Sequence, residues 1–216
     1  MAFRVNALLY TGFEMLDLFG PLEMFSMLGD QVEITTVAEH AGAVASAKAA
    51  AVGAGPEVVA AKGFAEAGPA DLLLVPGGFG TFPELENEAL LAFLKSQSES
   101  AQYVASVCTG SALLARAGLL DGKKATSNKQ FFVLAEQQSD KVDWQTEARW
   151  VEDGKFFTSS GVSAGMDMAI SIIDKHFGAE VRTQVTEGVE YVWHDDPSSD
   201  PFVGSVNAGA KAMGMA

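Results

Sequence analysis

Three short apolar runs, each cut off by glycine or by a turn, limit what this chain can fold into more than any other feature. Arg4–Tyr10 stops at Thr11-Gly12, Asp71–Val75 at Pro76-Gly77-Gly78, and Tyr103–Val107 just before Cys108-Thr109-Gly110. None has a helical period. Continuous runs of this length suit strands buried on both faces, as in a parallel sheet covered by helices. Between them lie stretches with apolar residues three or four apart. Met15, Leu18, Leu22, Phe25 and Leu28 predict a helix over 14–28, interrupted near Gly20-Pro21. Helices are also predicted over 87–98, 111–117 and 130–138, and Val162, Met166, Ala169, Ile173 and Phe177 mark a core-facing one. Val32–Ala38 alternates and reads as a strand. Asp153-Gly154, flanked by 148–151 and 156–158, is a hairpin signal. The alternation predicts an α/β fold: a three-layer sandwich with a mostly parallel central sheet, flavodoxin-like.

A chain of 216 residues buries enough surface to need no disulfide, and its single cysteine, Cys108, could form none within the chain. One domain over 1–195 is expected. Residues 41–70 are rich in alanine and glycine, but Val58-Val59 favours short strands and turns there. The tail, 196–216, shows proline, serine and glycine without periodicity and is expected to be partly disordered. A formal charge of −14 opposes binding to phosphate backbones, so no nucleic-acid partner is expected. No apolar run is long enough to span a bilayer and the first residues lack a leader pattern, so a soluble cytoplasmic protein without membrane contact is expected.

Cys108 lies between a buried strand and a helix. A sharp turn there would expose its sulfur at the carboxyl edge of the sheet, where open α/β sheets bind ligands, and near a helix N-terminus that favours thiolate. The bland alternative is a buried structural cysteine. Gly77 and Gly78 should reach the same edge, and their amides with that of Thr109 could form an anion-stabilising nest. Asp17, inside the apolar Leu16-Asp17-Leu18-Phe19-Gly20-Pro21, is the candidate proton carrier, because burial would raise its pKa. Glu14 and Glu23 read as exposed helix carboxylates.

A rival signal is Gly161-Val162-Ser163-Ala164-Gly165, which fits the G-x-S-x-G elbow of serine hydrolases. Asp174 and His194 would have to complete that triad, yet Asp174 falls within the same predicted helix as the serine. Of the other histidines, His40 sits beside a turn and His176 near a helix end. No pair of histidines stands at metal-ligand spacing, and no metal or other cofactor is expected.

Taken together, Leu16–Pro21, Pro76-Gly77-Gly78, Val107-Cys108-Thr109-Gly110-Ser111, Ala117–Lys123 and Gly161–Asp167 resemble, in order and spacing, the ThiJ/PfpI superfamily of the class I glutamine-amidotransferase-like fold. Within it the pairing of Asp17 with Cys108 and Thr109 is most similar to the isocyanide hydratases. The resemblance implies a nucleophile elbow at Cys108 and places Asn128, Gly161 and Val162 at the pocket. It implies a cofactor-free lyase acting on a small electrophile: Cys108 attacks the carbon of R–N≡C, Asp17 handles the proton, and an N-substituted formamide leaves. It also implies a homodimer. Asn128 departs from many superfamily members, which carry histidine there, so a Cys-His dyad is not expected. Residues 190–197 are outside the pattern as well. Two other activities share the same sulfur: a glyoxalase or deglycase acting on reactive carbonyls, and a non-catalytic redox-responsive or chaperone-like role through oxidation of Cys108.

Overall fold

The computed structural model describes residues 2–49 and 51–215. In chain order its elements are β1 (Phe3–Leu8), α1 (Met15–Ser26), β2 (Val32–Ala38), β3 (Gly42–Ala45), β4 (Glu57–Ala60), β5 (Lys62–Gly63), β6 (Leu72–Val75), α2 (Thr81–Glu84), α3 (Glu88–Ser100), β7 (Tyr103–Val107), α4 (Gly110–Arg116), β8 (Lys124–Ala125), α5 (Phe132–Glu136), β9 (Asp143–Trp144), β10 (Trp150–Asp153), β11 (Phe156–Ser159), α6 (Ala164–Phe177), α7 (Ala179–Gly188) and α8 (Ala208–Ala212). A seven-stranded sheet runs β10-β11-β7-β6-β1-β2-β5. Its pairings are parallel apart from the β10–β11 hairpin. This is the mostly parallel α/β sandwich that the apolar runs predict.

The central strands are apolar because both faces are covered. Leu72, Leu73, Leu74, Val104, Ala105 and Val107 are all buried. On α6 the stripe Met168, Ala169, Ile172 and Ile173 is buried too, so truncating Ile173 to alanine would cost about 2–5 kcal/mol. Close packing of α6 depends on Gly165: a Cβ there would stand 2.8 Å from Val107 and 3.3 Å from Pro21.

The registers align the strand ends that carry the site. Val75 pairs with Ser106, and Ser159 with Val107. The loops after β6, β7 and β11 therefore emerge side by side, with Cys108 in the middle. The Glu14 amide donates to the Gly77 carbonyl at 2.8 Å, which docks the start of α1 on the same edge.

Two sequence expectations are modified, and the short strands expected over 41–70 are present. The helix over 14–28 is not broken at Gly20-Pro21; α1 runs through Pro21, which is buried against α6. Packing outweighs the lost backbone hydrogen bond there. Residues 41–70 hold an antiparallel β3–β4 ladder. Residues 196–215 are folded rather than disordered. It carries α8 and donates from Asp200 N to Glu147 O (3.0 Å) and from Asn207 N to Lys129 O (2.7 Å). These partners are far away in sequence, so no local period announces them.

Candidate active site

Cys108 ends β7 with φ +59°, a left-handed conformation rarely adopted by a residue other than glycine. Val162, at the start of the loop into α6, has φ +43°. Such backbone costs of order 1–3 kcal/mol per residue and is retained only where surrounding contacts over-determine it. Both strained residues meet at one atom, the Cys108 sulfur. The backbone amides of Thr109 and Val162 are directed at it, and Asn128 Nδ2 donates to it at 3.0 Å. Asn128 is oriented by its other end, because Oδ1 accepts the Phe131 amide at 3.0 Å. Gly161 leaves room for this amide, since a Cβ there would lie 2.5 Å from Asn128 Nδ2.

Asp17 projects from the first turn of α1 and is wholly buried. Its Oδ2 accepts the Gly77 amide at 2.9 Å. Oδ1 is buried without a well-formed hydrogen bond, and the Cys108 thiol is the side-chain donor beside the carboxyl. Burial pushes the Asp17 pKa up to about 8, and the nearby Glu14 carboxylate adds to the rise. Burial also pushes the thiol pKa of Cys108 up, with the Asp17 charge next in effect, against the three donors that pull it down. The expected exposed thiolate is thus corrected. Cys108 is 6% exposed, and desolvation outweighs the terminus of the short helix α4. At neutral pH the resting pair is a thiol beside a carboxylic acid.

The glycine nest is corrected as well. Gly77 gives its amide to Asp17, and Gly78 gives its amide to Thr109 Oγ1 at 3.0 Å, so neither is free. Gly77 is required for a different reason: a Cβ would lie 2.5 Å from Thr109 N. The donors around the sulfur come instead from Thr109, Asn128 and Val162.

Two contributors escaped the sequence reading. Glu14 is half-buried at the pocket, not an exposed helix carboxylate, and burial raises its pKa. It caps α1 three residues before Asp17, so it shares that face, a spacing that could have revealed it. Tyr10, at the end of β1, begins a buried hydroxyl chain. It donates to Pro76 O at 2.7 Å and lies 3.0 Å from Thr81 Oγ1, which lies 2.9 Å from Thr109 Oγ1. Because Tyr10 spends its one proton on a carbonyl, Thr81 donates to Tyr10 and Thr109 to Thr81. The Thr109 oxygen is then left to accept from Gly78.

The sulfur opens onto a cavity of about 160 Å³ whose apolar wall is Phe79, Phe82 and Phe131. The rings of Phe79 and Phe131 meet edge to face at 5.6 Å. Ser163 of the rival motif stands just before α6 and lines a neighbouring cavity. Asp174 lies on α6 itself and pairs with Arg182, so the serine triad does not assemble. His194 is exposed and caps nothing near the sulfur; its amide donates to Asp167 Oδ1. Asp167 gathers residues 190–197. It accepts from Arg149 Nε (2.8 Å), Tyr191 Oη (3.0 Å) and the His194 amide (2.9 Å), which makes that segment a structural tie.

The family model for the DJ-1/PfpI family matches residues 3–175. The chain belongs to the DJ-1/PfpI family. Among DJ-1/PfpI relatives, isonitrile hydratase from Pseudomonas putida is 34% identical over 196 residues, covering 88% of this chain and 79% of that protein. The Parkinson disease protein 7 homolog of Danio rerio is 30% identical over 122 residues, covering 55% of this chain and 62% of that protein. The crystal structure of a ThiJ/PfpI family protein from Pseudomonas syringae superposes with a TM-score of 0.80 at 29% identity, covering 100% of this chain and 85% of that one. Among the described residues no helix is long and apolar enough to cross a membrane.

Proposed function

We propose that this protein hydrates isocyanides to N-substituted formamides through Cys108 and Asp17. The observation that carries the reading is the buried thiol–carboxylic acid pair, with Asp17 titrating near 8, opening onto an aromatic cavity. Such a pair suits a neutral, apolar electrophile, and the likeness to isonitrile hydratase points to the same chemistry.

The reactive form holds one proton between the two groups, as thiolate and carboxylic acid. The sulfur lone pair forms the S–C bond at the terminal carbon of R–N≡C while Asp17 delivers its proton to that carbon. The product is a thioimidate, S–CH=N–R, and Asp17 is left as carboxylate. Asp17 then takes a proton from water as the oxygen adds to the same carbon, and returns it to nitrogen. When the C–S bond breaks, the hydroxyl proton passes to Asp17. Formamide leaves and the thiolate–acid pair is restored. Asn128, Thr109 and Val162 hold the sulfur charge between these steps. Asparagine cannot carry a proton, so the acid–base group beside the sulfur is Asp17 and not Asn128.

Incubation with p-nitrophenyl isocyanide tests the reading. Formation of p-nitroformanilide by the protein, and its loss in Cys108→Ala, supports it. Consumption of methylglyoxal without any formamide product would move the assignment to carbonyl chemistry. Oxidation of Cys108 by stoichiometric peroxide with no turnover of either substrate would move it to redox sensing.

A further inference from the structure

The family match ends at residue 175, yet the last part of the chain is tied to the segment that carries Asn128. Asn207 N donates to Lys129 O (2.7 Å), Ala210 N to Gln130 O (3.0 Å), and Asn207 Oδ1 accepts from Val133 N (2.7 Å). Behind them the buried Lys129 ammonium donates to Thr126 Oγ1 (2.9 Å) and Ala148 O (2.7 Å), and lies 3.8 Å from Asp200 Oδ2. The C-terminal residues are therefore fixed in position relative to the sulfur.

This arrangement closes a second cavity, of about 240 Å³, beside the thiol cavity. Phe202 and Ser205 form its C-terminal wall, and Ser160, Ser163 and Gln130 face them. The two cavities share Asn128, Gln130 and Val162. Of these three, Asn128 also donates to the Cys108 sulfur. A group bound to that sulfur thus stands at the junction of an aromatic lobe and a second lobe, whose wall is mostly apolar but carries asparagine, glutamine and serine side chains.

We propose that this second lobe is a specificity subsite, bordered by the C-terminal segment, for a neutral arm of the substrate that carries a hydrogen-bonding group. The arm is neutral because the one lysine on the wall is turned into the core and already paired, and the chain carries a charge of −14. Serine hydroxyls and the Gln130 amide recognise a hydroxyl or a carboxamide. Phe202 is 58% exposed on a segment that is otherwise tied down, and its ring forms a rim that a bound arm would cover. With the proposed isocyanide chemistry, on which the naming of the substrate rests, the substrate is an isocyanide whose carbon next to nitrogen bears an apolar group and a hydroxyl or carboxamide arm.

Alkylation of Cys108 tests the subsite without requiring hydratase turnover. The probes are N-benzyl iodoacetamide and its analogue bearing a carboxamide on the benzylic carbon. Second-order rates are measured by mass spectrometry on wild type, Ser163→Leu and Phe202→Ala. Wild type should favour the carboxamide probe; Ser163→Leu should lower that preference by about five- to tenfold, the worth of a neutral hydrogen bond, and Phe202→Ala should lower it by opening the rim that covers the arm. An unchanged preference in both variants, no preference in wild type, or no labelling of Cys108 overturns the subsite. Phe202→Ala alters an exposed side chain and keeps the test open should Ser163→Leu fail to fold. Loss of the preference in Phe202→Ala alone then decides in favour. If the preference behaves as expected while neither branched nor simple isocyanides yield formamide, the isocyanide reading falls and the subsite stands.

Discussion

Asp17 Oδ2 accepts the Gly77 amide at 2.9 Å, and this bond fixes the buried carboxyl beside the Cys108 thiol. The glycine expected to bind a substrate anion instead fixes the acid. A carboxylate beside the thiol raises its pKa, so Asp17→Asn is expected to lower the thiol pKa while abolishing formamide production. Alkylation by iodoacetamide at a fixed pH should be faster in Asp17→Asn than in wild type above pH 8. Slower alkylation there would mean that Asp17 supports the thiolate instead.

The same carboxyl makes stability depend on pH. Its pKa rises from an ordinary 3.8 in the unfolded chain to about 8 in the folded protein. The folded state therefore binds the proton more tightly. Its contribution is fully present below about pH 4 and is lost as pH rises toward 8. At 1.36 kcal/mol per unit, the loss is roughly 5 kcal/mol across that window. Urea unfolding in this window should show wild type losing stability as pH rises and Asp17→Asn losing much less. Parallel curves would place the raised pKa elsewhere.

The pair also sets the pH–rate profile. Below about pH 8 it holds both protons, and thiolate is scarce. Thiol alkylation should rise with pH through 8 and beyond, because the proton that leaves near 8 is that of the Asp17 carboxyl while the thiol ionises above its ordinary range. A profile already flat from pH 6 upward would show a sulfur ionised at rest.

Asn128→Ala removes the one side-chain donor on the sulfur. A hydrogen bond to a charged group is worth about 1.5–3 kcal/mol, so alkylation below the plateau should slow about ten- to hundredfold. Asn128→His would restore a donor and add a titration in the histidine range. Stopped-flow alkylation distinguishes the two variants. Equal rates for wild type and Asn128→Ala would remove the amide from the site.

Much of this site was legible before the structure. Leu72–Val75 and Tyr103–Val107 announce themselves because burial on both faces leaves only apolar residues, and their ends place Gly77 and Cys108 together. Asp17 stood out as a charge inside an apolar helix. What stayed hidden depends on direction and on distance along the chain. No spacing tells that the Gly78 amide is taken by Thr109, because that follows from the hydroxyl chain starting at Tyr10. No period marks residues 196–215, because their partners lie at 129–133 and 147–149. Helix α7 also went unread; Gly178, with φ +92°, ends α6 and lets a second helix begin at once.

Asn207 is where this distant packing is most exposed to test. It sits at φ +60°, a conformation that asparagine tolerates and alanine does not, and its side chain caps the first turn of α5 from outside the helix. Asn207→Gly keeps the backbone and loses the cap, whereas Asn207→Ala loses the cap and strains the backbone. The cap alone is worth about 1 kcal/mol, so both variants should lower Tm, with alanine the lower. The effect should reach the sulfur, because α5 begins just after Phe131, whose amide orients Asn128. Alkylation of Cys108 in the glycine variant should therefore slow relative to wild type at a temperature where both are folded. A fall in Tm with no change at the sulfur would make the C-terminal segment a stabilising tie and nothing more.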